Sequence, residues 1–155
     1  MTIDDTLKAA CAGLCERAWD SFGMLVLDID AAGLVPVVQR LKDEFGFDIF
    51  LDVTAVDHLP REPRFTLVYH FMSPRHRRRI RLRMSVDGAA PAVASLTGLY
   101  GSAHFMEREA HDMYGIHFDG NADLRPILLY EGFEGHPLRK DYPMEREQPI
   151  VPYRK

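Results

Sequence analysis

The chain has 155 residues, of which 46% are hydrophobic and 27% charged, and its net charge is −4, which is typical of a single globular domain with room for an extension. No run of 18 apolar residues occurs, so the sequence contains no candidate membrane-spanning helix. The first twenty residues lack the zones of a signal or transit peptide, and we therefore expect a cytoplasmic protein.

The charges are unevenly distributed along the chain. Residues 1–60 carry 4 basic and 11 acidic side chains, residues 61–83 carry 8 and 1, and residues 84–155 carry 7 and 11. The positive excess is therefore concentrated in one segment that is long enough for a β-hairpin.

Apolar periodicity predicts the elements of the first half. A first helix should run from Asp5 to Trp19, a strand should follow over Phe22–Ile29, and a second helix over Leu34–Phe45 should end at Gly46. Three further strands are predicted next, over Phe47–Val56, Phe65–Met72 and Arg79–Val86.

The second half begins with helices and ends without regular periodicity. A short helix is predicted over Ala92–Leu99 and a longer one over Ala103–Tyr114, which Gly115 should end. Repeated prolines then exclude a long periodic element, so residues 1–115 should form the domain and residues 116–155 an extended C-terminal arm. The predicted fold is α+β, a two-layer sandwich of helices on a mixed four-stranded sheet in the order α-β-α-β-β-β-α.

Two cysteines are the whole thiol content. Cys11 and Cys15 are too few for an iron–sulfur cluster and have no evident zinc partners, so we interpret them as packing residues. The sequence contains neither a GxGxxG nor a Walker A motif. We therefore assign no catalytic, cofactor-binding or metal-binding residue to this chain.

Two polar patterns have more than one interpretation. His104, Glu107 and His111 share a helix face and could bind a metal in a free-standing hydrolase, or form an exposed polar face. The arginines of Arg79–Val86 alternate with apolar residues, so they could bind nucleic acid phosphates or face solvent or a protein partner.

Glu109 interrupts the apolar side of the third long helix, between Phe105 and Met113. A carboxylate there needs a cationic partner, and Arg125 or Arg139 in the arm could pin the arm to the helix. Arg108 and Asp112 could also pair across one turn. The aromatic and charged arm would then engage a partner surface, although a disordered polar tail is an alternative.

These residues also carry a family resemblance. The motif elements are Glu107-Arg108-Glu109, Asp112-Met113-Tyr114-Gly115-Ile116, Asp123-Leu124-Arg125, Gly135–Pro143 (GHPLRKDYP) and, upstream, Leu51–His58 (LDVTAVDH). In this pattern the chain resembles the C subunit, or 30 kDa-type subunit, of bacterial NADH-quinone oxidoreductase, which is respiratory complex I.

The resemblance implies a non-redox scaffold subunit in the peripheral arm of a proton-translocating NADH:quinone oxidoreductase, located at the cytoplasmic side of the inner membrane. FMN and iron–sulfur clusters would lie in partner subunits. The C-terminal arm of this chain would contact the quinone-site D subunit, near the cluster-bearing B subunit. The equivalent subunit of a membrane-bound hydrogenase is an alternative. The implied docking residues are Glu107, Arg108, Glu109, Asp112, Arg125, His136, Arg139, Lys140, Asp141 and Tyr142.

Overall fold

Ten helices and strands follow one another within residues 2–148, the part of the chain that a computed structural model describes. They are α1 (Ile3–Ala10), β1 (Arg17–Ser21), β2 (Met24–Ile29), α2 (Leu34–Phe45), β3 (Ile49–Asp57), β4 (Phe65–Ser73), β5 (Arg78–Val86), β6 (Ala92–Ala94), α3 (Ala103–Tyr114) and β7 (His117–Asp119).

The main sheet has five strands in the order β1-β2-β5-β4-β3. β2 and β5 run parallel and the other neighbours antiparallel, so the sheet is mixed as predicted, with one strand more than expected. β6 and β7 form a small separate parallel pair. No helix among residues 2–148 is long and apolar enough to cross a membrane.

The helices cover one face of this sheet, which we call the inner face. α2 contacts it where Ser73 Oγ donates to the Phe45 carbonyl at 3.1 Å, and α3 contacts it where the rings of Phe65 and Tyr114 meet edge to face. Each buried aliphatic or aromatic side chain contributes roughly 1.5–3 kcal/mol to the stability of the fold. Because the helices lie on one face of a mixed sheet, the predicted α+β sandwich is confirmed. The fully buried inner-face side chains of β4 and β5 include Phe65, Leu67, Tyr69, Phe71, Ile80 and Leu82.

The first predicted helix is wrong beyond Ala10. Thr2 caps α1 through reciprocal bonds with Asp5, and Gly13, with φ at +83°, lies beyond its end. The chain then forms a hairpin whose two turn residues, Phe22 and Gly23, both have positive φ. Such a turn matches the twist of paired strands, and the end of the predicted helix is therefore strand β1. Cys11 and Cys15 consequently share no helix.

The short helix predicted over Ala92–Leu99 is also wrong, because Ala92–Ala94 is a strand that pairs with β7 and residues 97–99 form a turn. This pairing brings the start of the predicted arm into the domain, where Ile116 and Phe118 are buried in the core. α2 and α3 have the predicted bounds, and each ends at a left-handed glycine, Gly46 or Gly115. Residues 149–155 of the predicted arm lie outside the described residues.

Candidate docking site

The acidic residue that faces the core from α3 is Glu107, not Glu109. Glu109 is exposed and Phe105 is 55% exposed, so the side of the helix that we predicted to be apolar faces solvent. The stripe of α3 that faces the core consists of Ala103, Glu107 and Ala110. Its two alanines are small and allow the helix to lie close to the sheet. The predicted ion pair between Glu109 and the arm is therefore wrong.

Glu107 is fully buried and has polar partners for both oxygens. Oε1 accepts from the backbone N–H of Leu96 at 2.7 Å, and Oε2 accepts from Ser95 Oγ at 2.7 Å and from Asn121 Nδ2 at 2.9 Å. Burial raises the pKa of Glu107, and these hydrogen bonds oppose that rise. The carboxyl group joins α3 to the loop that follows β6 and to the beginning of the arm.

The proposed metal ligands do not converge. Glu107 is bonded as above, His104 Nδ1 lies 3.1 Å from Asn121 Oδ1, and His111 Nδ1 donates to the Ile116 carbonyl at 2.9 Å. Among residues 2–148, no group of three or more His, Cys, Asp or Glu side chains has the geometry to hold a metal ion. The alternative of one exposed polar face is also wrong, because Glu107 faces the core.

Asp112, one helical turn further on, binds the backbone of the arm. Its Oδ2 accepts from the N–H groups of residues 127, 128 and 129 at 2.8, 3.0 and 3.1 Å. Burial favours the neutral acid, but these three donors outweigh it and hold the pKa of Asp112 below its usual value. The predicted pair between Asp112 and Arg108 is therefore wrong.

Arg108 binds the same part of the arm through carbonyl groups. Its Nε donates to the carbonyl of Arg125 at 2.9 Å and its Nη2 to that of Pro126 at 2.8 Å. Arg125 in turn pairs with Asp123 at 2.7 Å and has an 81% exposed side chain. α3 thus holds residues 125–129 with one cation and one carboxylate, through the backbone of the arm.

The arm also binds the C-terminal end of α3. The last carbonyls of a helix have no partner within the helix. Here the carbonyl of Asp112 accepts from His136 Nδ1 at 2.9 Å, and that of Met113 accepts from the N–H of Leu138 at 3.1 Å. The carbonyl of Tyr114 accepts from Arg139 Nε at 2.6 Å. The Arg139 cation also lies at the negative end of the helix dipole.

Gly115 allows this close contact. Its φ of +72° favours glycine, and a methyl group built on it would overlap the His136 imidazole and lie 2.6 Å from Arg139 Nη2. The glycine is therefore required both by the backbone and by the side chains that pack on it.

A second attachment lies where the loop between β3 and β4 meets the two strands. It consists of Arg64, Asp57 and Asp141, and we call it the Arg64 clamp. Arg64 Nε and Nη2 donate to the two carboxylate oxygens of Asp57 at 3.0 and 2.8 Å, while Nη1 and Nη2 donate to those of Asp141 at 2.9 and 2.7 Å. Asp57 also accepts from the N–H of Lys140 at 2.8 Å. The hydrogen bonds from Arg64 hold the pKa of both carboxyl groups below the usual range.

Arg64 and Asp57 are functional residues that the sequence pattern did not predict. Asp57 lies within the LDVTAVDH motif, but only the folded chain brings it beside residues 140 and 141. An arginine directly before a buried strand was the one available signal, since a buried guanidinium requires carboxylate partners.

The predicted docking residues therefore differ in where they point. Arg108, Asp112, His136, Arg139 and Asp141 contact their own chain, and the ring of Tyr142 stacks on Phe133 with centroids 6.0 Å apart. The side chains of Glu109 and Lys140 are exposed and have no partner within residues 2–148. Exposed apolar side chains also lie on α3 and the arm, at Phe105, Ile127, Leu128 and Leu138.

Comparison with known proteins identifies a family. Residues 27–148 match the family described as respiratory-chain NADH dehydrogenase, 30 Kd subunit. The chain is 41% identical over 145 residues to the NADH-quinone oxidoreductase C subunit of Rhodopseudomonas palustris, and the match covers 92% of this chain and 71% of that protein. It is 48% identical over 124 residues to the corresponding protein of Phenylobacterium zucineum, covering 80% and 59%.

Two solved structures have a similar fold. A trypsin-resistant fragment of Nqo5 superimposes with a TM-score of 0.70 and 30% identity, covering 80% of this chain and 100% of the fragment. A chain of the archaeal membrane-bound sulfane sulfur reductase superimposes with a TM-score of 0.80, covering 92% and 85%. At 24% identity the second likeness concerns the fold alone. Together with the sequence matches, these findings show that the chain belongs to the family of the 30 kDa subunit of respiratory-chain NADH dehydrogenase.

Proposed function

We propose that this chain is a non-redox structural subunit of a bacterial proton-translocating NADH:quinone oxidoreductase, located peripherally at the cytoplasmic side of the inner membrane. Its arm would contact the quinone-site D subunit, near the cluster-bearing B subunit. In the whole assembly, electrons pass from NADH through FMN and iron–sulfur clusters to quinone, and we assign those groups to partner subunits.

One observation carries this proposal: the arm is fixed to the domain through its backbone and its buried charges. Arg108, Asp112 and the Arg64 clamp bind residues 125–129 and 140–141. Acidic and basic side chains that could do proton-transfer chemistry are thereby used in structural contacts. What the arm presents outward is a set of exposed apolar side chains among charges of both signs, which is typical of a docking element.

Point variants of the outward side chains test this function. Leu128 is 62% exposed and the Lys140 side chain is exposed, so Leu128→Ser and Lys140→Ala should leave the fold intact. We expect each to reduce co-purification with the quinone-site subunit several-fold and to lower quinone reductase activity of membranes in parallel. Val35→Ser and Lys8→Ala remove similar exposed groups from α2 and α1 and serve as controls.

Normal assembly and turnover of both arm variants would contradict the docking role. Arg139 is a poorer test than Lys140, because its Nε also caps α3 and a loss of assembly could follow from a loose arm. A truncation that tests the arm should remove the residues from Ala122 onward. Removing Ile116 and Phe118 would damage the core, and removing Asn121 would take a hydrogen-bond donor from Glu107.

The partners that co-purify with the native chain distinguish the related assemblies. The fold likeness to a chain of the sulfane sulfur reductase agrees with use of this fold outside NADH-fed complexes, whereas the curated relatives are NADH-quinone oxidoreductase subunits. Recovery of NADH-binding subunits supports the NADH-fed complex, and recovery of hydrogenase subunits would replace it. Tightly bound stoichiometric metal or hydrolase activity in the purified chain would favour a free-standing hydrolase instead.

A further inference from the structure

The outer face of the sheet, which the helices leave uncovered, carries a row of arginines. Arg79, Arg81 and Arg83 occupy alternate positions of β5 on this face. All eight basic residues of segment 61–83 are arginines, with no lysine among them. A guanidinium presents paired donors that fit a carboxylate, whereas an ammonium acts as a point charge. The composition therefore favours recognition of planar anions.

Arg81 is held in place by a hydrogen bond from its Nε atom. Its Nε donates to His70 Nε2 at 2.8 Å, and His70 Nδ1 lies 2.7 Å from Asp52 Oδ1. Because Nε2 accepts a hydrogen bond, Nδ1 carries the proton and donates to Asp52. This chain of contacts crosses three strands and leaves the two terminal amino groups of Arg81 without partners within residues 2–148.

Arg83 is oriented in a similar way. Its Nε lies 3.6 Å from Asp28 Oδ1, and its guanidinium lies 5.7 Å from the centre of the Trp19 ring. Arg79 is exposed and has no partner among the described residues. The row thus combines two positioned guanidinium groups with one free one.

A hollow of about 430 Å³ lies beside Arg79 and Arg81, and its lining combines charged and apolar side chains. Met24 and Leu51 supply apolar wall. Asp52 supplies the one carboxylate among the described residues that line this hollow, and it is already bonded to His70. At the other end of the row Glu16, Asp28 and Asp30 line a second hollow with Arg83, so attraction for an anion is strongest at Arg79 and Arg81.

We propose that this face binds an extended acidic segment of a partner protein. Carboxylates at alternate positions of that segment bind the terminal amino groups of Arg79 and Arg81, because both sets of side chains repeat every second residue along a strand. The methylene groups of those acidic side chains pack on Met24 and Leu51. The proposal does not depend on the docking role of the arm, since it concerns another surface.

Two other polyanions fit this face less well. RNA-binding sheets stack bases on exposed aromatic side chains, but Tyr69 and Phe71 of the neighbouring strand are buried on the inner face. Lipid headgroups are attracted by charge without a need for fixed spacing, so the positioning of Arg81 by His70 would serve no purpose there.

A synthetic peptide can test this surface on the full-length chain. The probe is a dye-labelled eight-residue peptide of alternating Glu and Val, compared with one of alternating Gln and Val. We expect anisotropy to show binding of the Glu peptide alone, and emission of Trp19, the single tryptophan, to change on binding. Arg79→Gln and Arg81→Gln should each weaken binding by roughly tenfold. Arg61→Gln, at an exposed arginine outside the row, should change it less than twofold.

Three results would overturn the proposal: equal weakening by Arg61→Gln, unchanged binding in both row variants, or equal affinity for single-stranded RNA or phosphatidylglycerol vesicles. Circular dichroism establishes that each variant is folded. If Arg81→Gln disturbs the sheet, Arg79→Gln decides the question alone, because the Arg79 side chain has no partner within residues 2–148 that its replacement could release.

Discussion

Arg64 donates hydrogen bonds from both terminal nitrogens to the carboxylate of Asp141, at 2.9 and 2.7 Å, although the two residues are 77 positions apart in the sequence. The same guanidinium binds the buried Asp57, so one side chain joins residue 141 of the arm to the β3–β4 hairpin. Charge-assisted bidentate bonds are stronger and more directional than neutral ones. The position of residues 140 and 141 therefore depends on the shape of this guanidinium as well as on its charge.

Arg64→Lys tests that dependence, because lysine keeps the charge but cannot reach two carboxylates with paired donors. We expect the free energy of unfolding to fall by about 1–3 kcal/mol and trypsin to cleave faster after Arg139 and Lys140. Denaturant unfolding and limited proteolysis measure the two effects. Arg125→Lys, at an exposed pair with Asp123, is the control and should change neither. Unchanged proteolysis of Arg64→Lys would show that the clamp does not hold the arm.

Gly115→Ala separates backbone strain from a side-chain clash. Alanine at positive φ costs about 1–2 kcal/mol. At Gly115 the added methyl group would also displace His136 and Arg139, whereas at Gly132, with φ at +89°, it would meet no atom within 4 Å. We expect Gly115→Ala to be less stable than Gly132→Ala and to lose protection of the Leu138 amide in hydrogen exchange. Equal stabilities and equal exchange would mean that the arm tolerates the displacement.

Asp112→Asn should destabilise the protein at neutral pH, because a neutral amide accepts the three arm N–H groups more weakly than a carboxylate. The expected loss is about 1–3 kcal/mol. The folded-state pKa of Asp112 lies below its ordinary value near 4. Its stabilisation is therefore present above about pH 4 and disappears as the pH falls through the folded-state pKa. Unfolding followed from pH 7 to pH 2 should consequently show wild type and Asp112→Asn converging in acid, and parallel curves would contradict the assignment.

Glu107 should show the opposite pH dependence. Burial raises its folded-state pKa, so its contribution favours folding below its ordinary value of about 4.3 and is lost as the pH rises through the raised value. Glu107→Gln removes this titration but turns an amide NH₂ towards Asn121 Nδ2, which is itself a donor. We expect a variant that is less stable than wild type at acidic pH, with the difference shrinking as the pH rises. If the stability difference between wild type and Glu107→Gln grew with pH, this interpretation would be contradicted.

Local signals predicted some elements well and their orientation less well. The 3.6-residue pattern followed by Gly46 or Gly115 defined α2 and α3, because both the apolar stripe and the stop signal are local. The prediction of which side of α3 faces the core was wrong. Two small alanines mark the buried stripe, and the large Phe105 is exposed instead. The Arg64 clamp could not be predicted, since its partners are remote in sequence and only the folded chain unites them.

The use of the α3 carbonyls by the arm has a consequence for assembly. A segment that folds only on binding loses conformational entropy at that moment, and this weakens the complex. Here residues 136–139 complete the helix end before any partner arrives, so that ordering cost belongs to the folding of the monomer. The described part of the arm, up to residue 148, should therefore associate as a rigid body, at a rate set by diffusion and orientation, and changes on its outward surface should alter mainly the lifetime of the complex.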